Sequence, residues 1–115
     1  MTDATIAIFP PARAPETVSF DRREFDQIMS LYGRMVAAGE WRDYALDLRR
    51  EAAVFSIFRR ASEMPLYRIV KKPAEARRQG AYTLYGMGGQ VLKRGHDLAQ
   101  ALQVLERKFL KLVEA

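Results

Sequence analysis

The feature that most constrains this chain is a double change of hydrophobic period. Apolar residues recur about every 3.6 positions up to residue 39, about every 2 positions from 44 to 93, and about every 3.6 again after 97. The first and last stretches are helical patterns and the middle is a strand pattern. The middle breaks into five short runs, 44–49, 54–60, 66–72, 82–85 and 90–93. The gaps between them are short. A parallel crossover needs a dozen or more residues, so neighbouring runs pair antiparallel. The longest gap, 73–81, has room for one helical turn. The expected fold class is therefore α+β: an antiparallel meander of about five strands flanked by an N-terminal and a C-terminal helix.

The helix ends carry their own signals. Asp21 is a good N-cap and Glu24 lies three residues on, as a capping box requires; Phe20 and Phe25 flank it as a hydrophobic staple. Phe25, Ile28, Met29, Tyr32, Met35 and Val36 form the apolar stripe, Gly33 inside it costs about 1 kcal/mol relative to alanine, and Gly39 stands where a C′ glycine belongs. The second helix, capped by Asp97 or His96, aligns Leu98, Leu102, Leu105, Phe109 and Leu112. Trp41 and Tyr44 are expected to lock the corner between the first helix and the sheet. Residues 1–16, with three prolines, read as an extended arm with a short strand at 6–9; residues 17–115 read as one α+β domain.

Charge narrows the surface. The net charge is +5, and the window 59–94 holds nine bases against two acids, so the remainder is slightly acidic. A basic middle attracts phosphate or acidic protein surfaces; it is equally what a solvated face of snorkelling arginines looks like. Alternation assigns Phe55, Ile57, Tyr67, Ile69, Tyr82, Leu84 and Leu92, with Leu46 and Leu48, to a face buried by the helices. The other face then shows Arg49, Val54, Ser56, Phe58, Arg60, Arg68, Val70, Lys72, Thr83, Tyr85 and Lys93. Aromatics among arginines suit an acidic protein partner or a second copy of the chain. They also suit single-stranded nucleic acid such as RNA, with bases stacked on the rings. A helix or the N-terminal arm lying over the face would remove both uses. The candidate binding residues are Arg49, Phe58, Arg59, Arg60, Arg68, Lys71, Lys72, Arg77, Arg78 and Tyr85.

Chemistry is sparse. There are no cysteines, which removes disulfides and thiolate sites, and the single histidine is His96. Gly86 to Gly89 lacks the Gly-Lys-Ser/Thr of a P-loop and joins two strands, so it reads as a hairpin turn. Lys93, Arg94, Gly95 and His96 precede a helix N-terminus and form a weak candidate anion site, which Asp97 opposes as a competing cap. The carboxylates are scattered, and no calcium-loop spacing or nucleophile elbow occurs. The expectation is a non-enzymatic binding or regulatory module with no cofactor and no metal. With no signal-peptide pattern and no apolar run near ~18 residues, the expected location is the cytoplasm, without a membrane partner.

The segments SFDRREFDQIMSLYGRMVAAGEWRDYALD, FSIFRRASEMPLYRI, ARRQGAY and LKRGHDLAQAL resemble a family of small bacterial, chiefly alphaproteobacterial, proteins known as a domain of unknown function. The resemblance covers roughly residues 17–108. It implies a small soluble bacterial protein and supplies no activity, cofactor or site residue.

Overall fold

In a computed structural model the structure describes residues 16–60 and 64–114. The order is α1 (Arg22–Ala37), β1 (Asp43–Leu48), β2 (Ala53–Phe58), β3 (Tyr67–Lys71), a 3-10 turn (Pro73–Glu75), β4 (Tyr82–Tyr85), β5 (Val91–Gly95) and α2 (Leu98–Glu114). The sheet is an antiparallel meander in the order β1-β2-β3-β4-β5, so the protein is α+β with one helix on each side of the strands in sequence. Both helices pack on one sheet face, because that face carries the apolar alternation. The expected strand at 6–9 and nearly all of the expected arm lie outside the described residues.

Both ends of α1 follow from the sequence. Asp21 Oδ1 accepts from Glu24 N–H and Glu24 Oε1 accepts from Asp21 N–H, a complete capping box. At the other end Glu40 N–H donates to Met35 O and Gly39 N–H to Val36 O, with Gly39 at φ 79°. That is a Schellman close, which needs a left-handed residue. A Cβ on Gly39 would meet nothing within 4 Å. Gly39→Ala therefore carries backbone strain alone and is expected to cost about 1 kcal/mol in urea unfolding.

The core is Ile28, Leu31 and Met35 of α1, Trp41, Phe55 and Ile57 of β2, Ile69, Leu84, and Leu98, Leu102 and Leu105 of α2. The α1 stripe is rotated from the expected one: Leu31 is fully buried, whereas Val36 stays exposed. Leu112, near the end of α2, stays exposed at the mouth of a hollow it lines with Trp41, Leu66 and Tyr67. Leu46 and Leu48 lie on the helix side, opposite Phe55 and Ala53, yet both stay about two-fifths exposed (42% and 41%), because β1 is an edge strand outside the span of the helices. Tyr44 stacks on Phe55 with centroids 4.8 Å apart and meets Tyr32 edge-on at 5.1 Å, while Trp41 reaches Tyr32 and Tyr67. These rings tie α1 to the first strands.

A register shift between Leu84 and Tyr85 bulges β5. Lys93 falls opposite Leu84, on the helix side, and Arg94 falls opposite Thr83, on the outer side. The expected placing of Lys93 on the outer face is corrected by this one extra residue.

Candidate binding face

The outer face of the sheet is built by alternation across all five strands. One row runs Ser56, Arg68, Tyr85; the next runs Asp47, Val54, Val70, Thr83, Arg94. Among the described residues no helix packs on this face; α2 rests on β4 and β5 from the other side. Arg49, Ala52, Val54, Arg68, Val70, Lys72, Tyr85 and Gly89 line an open depression there of about 320 Å³. Its floor is β-branched and its rim is cationic. Arg49 Nε is 2.7 Å from Asp47 Oδ2, in an exposed pair worth well under 1 kcal/mol, so Arg49 can exchange that partner for another anion.

The fold brings Arg49, Phe58, Arg68, Lys72 and Tyr85 to this face and sends the other candidates elsewhere. Phe58 sits at its far corner, opposite Asp43. Arg59 and Arg60 lie past the end of β2, lining a separate hollow with Glu40 and Trp41, and Arg59 approaches Glu40 at 3.5 Å. Arg77 and Arg78 are exposed in the β3–β4 connection, with Arg78 3.4 Å from Glu75. Arg94, which the sequence placed only in the weak anion site, joins the outer face through the bulge. A bulge has no residue signature here, so sequence alone could not find it.

Lys71 is not on this face. It lies on the helix side, opposite Ala53 and Tyr82. Its Nζ is 2.7 Å from Glu24 Oε1 and donates to Ser19 O at 2.9 Å. The Tyr82 hydroxyl donates to Glu24 Oε2, so the capping carboxylate also anchors a strand lysine and a strand tyrosine. Burial pushes the Glu24 carboxyl up, but the hydrogen bonds from Lys71, Tyr82 and Asp21 N–H, with the lysine charge, outweigh it and hold the group below its ordinary value. Burial, and then the bond to Glu24 and its negative charge, push the Tyr82 phenol well above its ordinary value.

The start of α2, beside the weak anion site, is capped by the chain's own residues. Gln100 N–H donates to Asp97 Oδ1 at 2.9 Å, and His96 N–H donates to Gln100 Oε1 at 2.7 Å. Those backbone donors are therefore satisfied within the chain. Gly95 serves packing: a Cβ there would stand 2.6 Å from Gln100 Cβ. Among the described residues no cluster of three or more His, Asp or Glu side chains could hold a metal ion. None of their helices is long and apolar enough to cross a membrane.

No curated protein and no solved structure matches the chain. A family model described as a protein of unknown function, DUF2794, matches residues 18–102, a span that takes in α1, the whole sheet and the start of α2. The chain belongs to the DUF2794 family.

Proposed function

We propose that the protein is a non-enzymatic binding module whose working surface is the outer sheet face, and that its partner is an acidic protein segment carrying apolar side chains. What supports this is the composition of the depression: Val54 and Val70 form an apolar floor, with Arg49, Arg68 and Lys72 at its rim. Arg94 adds charge beside Thr83, and the acids on the face, Asp43 and Asp47, both sit on β1 at one side. Tyr85 is the one aromatic ring in the depression. A single-strand nucleic-acid platform relies on several rings for stacking, each worth roughly 1–3 kcal/mol, so valines between cations suit apolar anchors flanked by carboxylates better.

The test uses two probes, a labelled peptide of glutamates interspersed with leucines and a labelled oligouridine, titrated by anisotropy across a salt series. The peptide is expected to bind more tightly than the RNA. Arg68→Glu with Lys72→Glu should weaken it about tenfold, since two reversed surface charges together cost about 1–2 kcal/mol. RNA binding that is the tighter and falls steeply with salt would replace the protein partner by nucleic acid. Binding of neither probe at low salt would overturn the reading.

A further inference from the structure

The two edges of the sheet are treated differently. β5 has a bulge, carries Lys93 and Arg94 and is packed by α2. Lysines, bulges and covering helices are the usual devices that blunt a sheet edge. β1, with sequence DYALDL, has no lysine, no proline and no bulge, and all six residues are exposed. Its open side also has defined hydrogen-bonding groups. Arg49 N–H donates to Ala52 O to close the β1–β2 hairpin, and Leu66 N–H donates to Ile57 O on the far side of β2. The alternation of an antiparallel ladder then turns the N–H and C=O of Asp43, Ala45 and Asp47 toward β2 and those of Tyr44, Leu46 and Leu48 outward. Among the described residues, no backbone hydrogen bond outside the β1–β2 ladder reaches these three.

The same three residues are the apolar ones. Tyr44, Leu46 and Leu48 are 40%, 42% and 41% exposed on the helix side, where the Tyr44 ring meets the Tyr32 ring of α1. They form a ledge of contiguous apolar surface along an unpaired edge, the arrangement that marks a contact site.

We propose that this ledge is covered by a second copy of the chain. β1 pairs antiparallel with its counterpart across a twofold axis, with Leu46 opposite Leu46. The register follows from charge. Keeping the helices of both copies on one side allows only registers that pair even residues with even. Shifting two residues one way from the Leu46 register sets Asp43 opposite Asp47; two the other way sets Asp47 opposite itself. The Leu46 register alone among these sets Asp43 opposite Arg49 of the second copy, twice by symmetry, with Tyr44 opposite Leu48. Each of these even pairs is a hydrogen-bonding pair, so the outward groups of all three residues are satisfied. The product is one continuous ten-stranded sheet whose two basic outer faces lie side by side, a bivalent version of the surface described above.

The test is the mass of the full chain by sedimentation equilibrium, together with single-cysteine cross-linking, which the cysteine-free sequence makes clean. A concentration-dependent dimer is expected, and Leu46→Asp should raise its dissociation constant at least tenfold. Asp43→Arg and Arg49→Asp should each weaken it, and the double exchange should restore it. Leu46→Cys should form an interchain disulfide under mild oxidation, because paired Cα atoms stand about 5.5 Å apart. Leu48→Cys should not, as its counterpart is displaced four residues, about 13 Å. A chain that stays monomeric at the highest concentration reached, or one freed to dimerise by Ile8→Asp so that residues 1–15 are the occupant, overturns the proposal. So does a dimer indifferent to Leu46→Asp, or one cross-linked equally well by Leu48→Cys.

Discussion

Gly80→Ala is expected to destabilise the fold by about 3–5 kcal/mol, enough to leave many domains of this size largely unfolded. Gly80 has φ +97°, and a Cβ built on it stands 2.3 Å from Gly95 O and 2.6 Å from Gly95 C. Those are backbone atoms at the end of β5, where the chain turns into α2. They cannot rotate away as a side chain would. Left-handed backbone costs a non-glycine residue roughly 1–2 kcal/mol, and the clash adds a shift of one chain relative to the other. The comparison that isolates the second cost is Gly39→Ala, at φ +79° with open space around it. Urea unfolding should show Gly80→Ala losing at least twice what Gly39→Ala loses. Equal losses would mean that the β3–β4 connection does not press on β5 as described. The position bears on the proposed binding face because the same connection begins at Lys72, on the rim of the depression.

Gly80 also shows where sequence reading stops. Gly39 was legible as a cap because its neighbours are local: a helical stripe ends and a glycine follows. Gly80 meets Gly95, fifteen residues on, and no local pattern announces that contact. The same division runs through the whole chain. The strands and the antiparallel sense of their pairing were legible because alternation and short gaps are local properties. The faces of β2, β3 and β4 followed, since one register choice fixes them all. The face of β5 did not, because a bulge inserts one residue and exchanges the sides of Lys93 and Arg94. For the candidate site, Arg49, Arg68, Lys72 and Tyr85 were found by alternation. Lys71 was misplaced among them because composition counts a cation without its partner. Its partner is Glu24, whose role as a capping residue was legible while its second bond, across to a strand, was not.

That second bond makes Glu24 the other position of large effect. Its side chain holds the first turn of α1, the Lys71 ammonium and the Tyr82 hydroxyl at once, with the residue only 8% exposed. Glu24→Ala removes half the capping box and leaves a mostly buried ammonium facing an unfilled space. The first loss costs about 1 kcal/mol. The second is the penalty of a broken buried pair, taken at the low end of about 3 kcal/mol because Lys71 keeps 18% of its side chain in solvent, so the sum is about 4 kcal/mol. Lys71→Met in the same chain should recover part of it, since the stranded charge is then gone. The pH dependence separates this account from simple loss of packing. The fold holds the Glu24 carboxyl below its unfolded value, so in acid the unfolded chain binds the proton more readily. The stabilisation from its charge is fully present above the unfolded carboxylate value of about 4.3, and it is lost as pH falls through the folded value. Tyr82 is shifted the opposite way, so its contribution is complete below about 10 and declines as pH rises beyond that. The urea midpoints of the wild type and Glu24→Gln should therefore differ by a constant amount between about pH 5 and 9 and converge on acidification. A gap that stays constant down to the acid limit would show that the glutamate acts through shape alone, and the ion pair with Lys71 would then hold nothing together.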